Sequence, residues 1–162
     1  MTIVADASSL ILLSKAGLAE ELAQKISVII PQKVYEEIIK GLEKGRYDSI
    51  LIQRMVAEKI VIVEKADPKI MKRMQSLFSL HGGELEVISL AKKDSTILTD
   101  DKKCMNAAKA LKINCITSPD AIVALWKTGA ISKIKAQEGI TSLEEYGWYS
   151  KKIMKHYEEA MK

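Results

Sequence analysis

Five short apolar runs punctuate the chain, at residues 3–5, 27–30, 60–63, 96–99 and 114–116. They are rich in β-branched side chains and do not alternate with polar ones, which predicts strands buried on both faces of a parallel sheet. Between them the apolar positions recur with helical period. Helices are expected at 9–16 and 18–24 around Gly17, and at 31–42 and 47–58 around Gly41 and Gly45. Further ones are expected at 68–80, 84–93 and 102–111, with a break at His81-Gly82-Gly83. After the fifth strand the pattern is helical throughout: 119–127, 131–137 and 143–162, punctuated by Gly129 and Gly139. Strands alternating with helices predict an α/β domain built on a parallel sheet of about five strands. The caps agree: Pro31 and Pro68 open helices, and Ser118-Pro119-Asp120 reads as an N-cap, a first-position proline and an early acid.

Composition narrows the class. A chain of 162 residues with 48% hydrophobic and 28% charged residues is globular and fits one domain. Phe78 is the only phenylalanine, so aliphatic side chains must fill the core. Cys104 and Cys115 have neither metal-ligand nor disulfide-framework spacing and read as reduced thiols of a cytoplasmic protein. The first apolar run meets Asp6 without a basic region before it, so no signal peptide is expected, and no run has bilayer-spanning length. A net charge of +4 permits a polyanionic partner without demanding one.

The candidate chemistry is acidic. The first strand ends in Asp6, and the fourth ends in Asp100-Asp101. Periodicity does not fix a strand order. In the doubly wound order 3-2-1-4-5, strands one and four are neighbours at the switch point, which sets Asp6 beside Asp100 and Asp101. Glu37 flanks the apolar stripe of Val34, Ile38 and Leu42, near the start of its helix. Glu84 shares a face with Val87, Ile88 and Ala91, whereas Glu86 falls elsewhere and reads as peripheral. Each acid has a plain reading too. Asp6, Asp100 and Asp101 can cap helices, Glu84 and Asp120 can complement a helix macrodipole, and Glu37 can be solvated surface. Their convergence on one rim of the sheet favours a site. Carboxylates without His or Cys partners suit Mg²⁺ or Mn²⁺, which can activate water and orient a phosphodiester. Zinc, a nucleophile elbow, a Walker loop and a dinucleotide fingerprint all lack their residues.

In this order and spacing the motifs resemble the PIN domain family of metal-dependent ribonucleases, typified by VapC-type toxins. Val4-Ala5-Asp6-Ala7-Ser8 resembles the family's first strand, with its aspartate and a hydroxyl two residues later. The segment from Pro31 through Val34 to Glu37, and the run Gly83-Glu84-Leu85-Glu86, are similar to its two glutamate segments. Leu98-Thr99-Asp100-Asp101 and Thr117-Ser118-Pro119-Asp120 are similar to its later acidic ends. The resemblance implies a sheet of order 3-2-1-4-5 and a pocket for Mg²⁺ or Mn²⁺. It also implies cleavage of single-stranded RNA by metal-activated water, a homodimer, and an antitoxin partner. Asp6, Glu37, Glu84 and Asp100 or Asp101 would hold the ion, with Asp120 as a further ligand and Ser8 as an orienting hydroxyl. The arginine common after the acidic end is missing, which leaves Lys102 and Lys103 as phosphate contacts. Residues 1–130 are expected to form the nuclease-like domain and 131–162 a helical extension packed on it.

The leading expectation is therefore a metal-dependent endoribonuclease, the toxin of a toxin–antitoxin pair. A non-catalytic RNA- or protein-binding module of the same fold is the alternative. A phosphotransfer receiver fits poorly, because here the paired acids come late and a single acid ends the first strand.

Overall fold

A computed structural model of the chain describes every residue except Trp148. Five parallel strands form one sheet in the order β3-β2-β1-β4-β5: β1 Thr2–Ala5, β2 Ser27–Pro31, β3 Val61–Glu64, β4 Ser95–Leu98 and β5 Asn114–Ile116. This is the order expected from the family resemblance. The central strands are the most buried, and β4 is buried along its whole length. The edge strand β3 exposes Ile62. In the register of β1 on β4, Ala5 lies opposite Leu98, so Asp6 and Thr99 leave the sheet side by side.

Helices cover both faces: α1 Ala7–Lys15, α2 Ala19–Lys25, α3 Gln32–Glu43, α4 Tyr47–Ala57, α5 Pro68–Leu77, α6 Gly82–Leu90, α7 Lys102–Ala110 and α8 Ser118–Lys127. The core is aliphatic, with Leu10, Leu13, Ile30, Ile38, Ile52, Ile97 and Ile122 among its fully buried side chains. No helix among the described residues is long and apolar enough to cross a membrane.

Two local expectations change. The first concerns Gly139, expected to interrupt a helix but found inside α9, Lys133–Tyr146. A Cβ there would come 2.7 Å from Leu18 Cδ1 and 3.2 Å from Ile122 Cδ1, so the glycine serves close packing instead of a turn. The chain breaks later, after Tyr146, and Ser150 caps α10, Lys151–Ala160, by accepting from the Ile153 N–H at 3.2 Å. The single expected helix over 143–162 is thus the end of α9 and, after a break, α10. Ile140, Leu143, Met154 and Met161 carry both helices into the common core. The second change concerns Glu86. It is no peripheral residue: its carboxylate accepts the Lys33 backbone N–H at 2.8 Å. The α3 N-cap is Pro31, which offers no side-chain acceptor, so Glu86 of α6 supplies the missing cap from outside.

Candidate active site

Beyond the carboxyl ends of β1 and β4 lies a cavity of about 1260 Å³. Asp6, Glu37, Glu84, Asp100 and Asp101 all line it. The local reasons are separate. Asp6 is the residue after β1 and the N-cap of α1; its Oδ1 accepts the Ser9 N–H at 2.8 Å. Asp101 caps α7 and accepts the Cys104 N–H at 2.8 Å. The capping readings of these two residues are therefore correct, and capping coexists with facing the cavity. Glu84 stands in the first turn of α6. Glu37 reaches across from α3 over the start of α6. A Cβ on Gly83 would lie 3.3 Å from both its carboxylate oxygens and 3.0 Å from Val34 Cγ2, so the glycine makes room for this approach.

Hydroxyl groups hold the acids in place. Thr99, aligned with Asp6 by the sheet register, donates to Asp6 Oδ2 and accepts the Asp101 N–H at 3.0 Å. Ser9 donates its hydroxyl to Asp100 Oδ2 at 3.0 Å while its N–H serves Asp6, so one residue ties two carboxylates together. Ser118 adds its hydroxyl to Asp100 Oδ2 and its N–H to Oδ1 at 3.1 Å. The hydroxyl expected to orient the set was that of Ser8. Ser8 lines the cavity, but the serine bonded to the acids is its neighbour Ser9.

The electrostatics are those of crowded negative charge. Burial pushes the Asp6 carboxyl above its ordinary range despite the bonds from Thr99 and Ser9, and the Asp100 charge adds to the shift. Glu84 is also raised, first by burial and then by Asp101 and Asp6; Lys103 offsets part of this. Among the described residues no lysine or arginine forms an ion pair with any of the five acids. A buried carboxylate without a counter-charge is costly, and crowding of like charges raises pKa values. A hard cation would relieve both, so the donor set fits Mg²⁺ or Mn²⁺. The acids do not form a dry cage: among the described residues no three His, Cys, Asp or Glu side chains are already gathered as a metal-holding group.

Three expected site residues stand outside this cavity. Asp120 is the third residue of a capping box. Its Oδ2 takes the Thr117 N–H at 2.9 Å and hydroxyl at 2.8 Å, and its Oδ1 takes the Tyr157 hydroxyl at 2.7 Å. It serves the start of α8 and ties that turn to Tyr157, and it does not line the cavity. Lys102 and Lys103 are exposed in the first turn of α7 and do not line the cavity, although Lys103 is near enough to influence Glu84.

The sequence reading missed the opposite wall, which comes from the tail. Tyr149, Lys152, His156 and Tyr157 line the same cavity. The Tyr149 hydroxyl is buried without a partner in hydrogen-bonding geometry among the described residues, yet close to Asp100 and Ser118; burial first, then Asp100, pushes it above the ordinary tyrosine range. Burial and the neighbouring Asp120 charge bring Tyr157 to about 12, although the Thr117 bond opposes the shift. The Ser150 cap could have signalled a separate α10, but where that helix docks depends on residues far apart in sequence. The cysteines behave as expected of inert thiols: burial raises Cys104 to about 12 and Cys115 to about 11.

Comparison with family models matches residues 2–162 to the family described as PIN domain. The match covers nearly the whole chain, so the chain belongs to the PIN domain family. Its fold is of nuclease type, and members of the family are in general nucleases that usually employ divalent metals. Comparison with curated proteins and with solved structures finds no match.

Proposed function

We propose that this PIN-domain protein is a metal-dependent endoribonuclease acting on single-stranded RNA. One observation carries the reading: five carboxylates from four segments of the chain line one cavity, and none is neutralised by a basic partner among the described residues. Asp6, Glu84, Asp100 and Asp101 would hold Mg²⁺ or Mn²⁺, with Glu37 bounding the site from α3. The ion would supply positive charge for the phosphodiester and acidity for an attacking water. The chain's own part is positioning. Ser9 and Thr99 fix Asp6, and Ser9 and Ser118 fix Asp100, so the donors at the strand ends keep their spacing when substrate arrives. Binding of a cation would favour the ionised forms of Asp6 and Glu84, whose carboxyls burial raises.

Incubating a random single-stranded RNA pool with the protein in Mg²⁺, Mn²⁺ or chelator tests the reading. Cleavage in either metal, absent in chelator and from the Asp6→Asn variant, is the expected result. The toxin role belongs to the same proposal and is read by growth, which should arrest on expression of the wild type and continue with Asp6→Asn. A homodimer and an antitoxin partner complete that role; size-exclusion chromatography of the protein alone, and with the product of any small reading frame found beside its gene, tests both. A second reading, a non-catalytic RNA-binding module, draws support from the lack of a gathered metal-holding trio among the described residues. It predicts RNA binding without any calorimetric signal for Mn²⁺.

A further inference from the structure

A cavity lined by five carboxylates repels the polyanion that a nuclease must bind, and a metal ion neutralises only part of that charge. Phosphates on either side of the reacting one need cations of their own. Among the described residues the cavity wall carries a single lysine, Lys152, and it stands on α10. His156 follows four residues later, on the same helical face, and Ile153 between them leaves 46% of its surface exposed. The His156 and Tyr157 rings meet edge to face with centroids 5.4 Å apart. Tyr157 is tied down through Asp120, so this aromatic pair is held in place at the rim. Beside them the buried Tyr149 hydroxyl, close to Asp100, has no hydrogen-bond partner among the described residues. One ammonium, exposed apolar surface and a fixed ring pair, lining the same cavity as the acids, match a single strand: charged at its phosphates, flat and apolar at its unstacked bases.

We infer that α10 is the RNA-binding wall of this cleft, where Lys152 pairs with a backbone phosphate and the His156–Tyr157 pair offers a ring face to an unstacked base. The inference rests on the nuclease reading for what happens to the strand, but not for its binding. The tail is then part of the substrate site as well as a cover for the core.

The test uses the full chain and a fluorescent single-stranded RNA, with anisotropy recorded in chelator over a salt series. The Lys152→Ala/His156→Ala double variant should bind on the order of tenfold more weakly, with its salt slope reduced by about 0.7 for each phosphate left without its cation. Lys155→Ala, on α10 but outside the cavity, should bind as the wild type does. Lys152→Arg in the His156→Ala background should recover most of the lysine's share, which a merely structural role would not. Where cleavage is measured in Mn²⁺, KM should rise with kcat little changed. Wild-type affinity and salt slope in the double variant overturn the inference, even if both proteins cleave RNA. So does an absence of RNA binding by the wild type, or a preference for single-stranded DNA of the same sequence. Loss of RNA binding in the double variant, with no cleavage by the wild type in any metal, upholds this wall and removes the nuclease reading instead.

Discussion

Replacing Asp6 with asparagine separates charge from shape at the centre of the site. Asp6 is 5% exposed, with one oxygen on the Ser9 N–H at 2.8 Å and the other on the Thr99 hydroxyl. The amide keeps the Ser9 bond and at worst loses the one from Thr99, a cost of about 1 kcal/mol. Against this, it removes a charge whose burial costs several kcal/mol even after relaxation and which faces Asp100. The net expectation in chelator at about pH 8 is a gain on the order of 2 kcal/mol, or roughly 4–8 °C in Tm for a chain of this length. The sign with pH follows from the raised carboxyl. A folded-state value above the unfolded one means that the proton favours folding. The contribution is complete below the ordinary carboxylate range and is lost as pH climbs through the raised value. The two proteins should therefore melt together near about pH 4 and diverge toward about pH 8. Saturating Mn²⁺, at about a hundredfold its dissociation constant, should stabilise the wild type by about 2.7 kcal/mol and the variant far less. Cleavage should fall on the order of 10²–10³-fold. Differential scanning fluorimetry at the two pH values, with and without metal, reads all of this except the cleavage. A variant that is less stable than the wild type in chelator at about pH 8, or one that cleaves RNA undiminished in Mn²⁺, refutes the reasoning.

Mn²⁺ affinity should strengthen as pH rises from about 5 to about 8, because Asp6 and Glu84 must shed protons held by their raised carboxyls; calorimetry in two buffers of different ionisation enthalpy should detect the proton release. Glu84→Gln should weaken the metal affinity and flatten part of that dependence. Glu86→Ala should lower stability by about 1 kcal/mol through loss of the α3 cap while leaving cleavage intact, as urea denaturation and an RNA assay together can check. Gly139→Ala should destabilise by up to about 2 kcal/mol, since overpacking against Leu18 and Ile122 outweighs the helix propensity gained; an unchanged or higher Tm would show that those side chains yield.

The five strands and the cavity acids were legible because they follow from local rules. A β-branched run that ends abruptly in a carboxylate marks both a strand and its exit, as at Asp6 and Asp100. Glu37 and Glu84 could be placed because helical period fixes the face of a residue relative to its apolar neighbours. Strand order has no such local rule; the family resemblance supplied it, and the sheet has that order. Where the reading slipped, the deciding neighbour was remote in sequence. Gly139 is helical because Leu18 and Ile122 press against it, and nothing within its own turn records that. Glu86 matters because the helix it caps begins more than fifty residues earlier, at Gln32.

The sequence by itself determined an α/β chain with acids at two strand ends, since propensity, hydrophobic period and capping act over a few residues. Tertiary structure decided which of those acids share a cavity and which hydroxyls restrain them. It left Asp120 off the cavity lining, bonded to Thr117 and Tyr157, and it made Ser9 a bridge between Asp6 and Asp100. It also brought the chain's last helix across the site, setting Lys152 and His156 opposite residues near the amino terminus. The physical reason is that burial, charge crowding and hydrogen-bond partnership depend on distance in space. The strand register and the docking of α10 set those distances, and both arise only when the whole core closes.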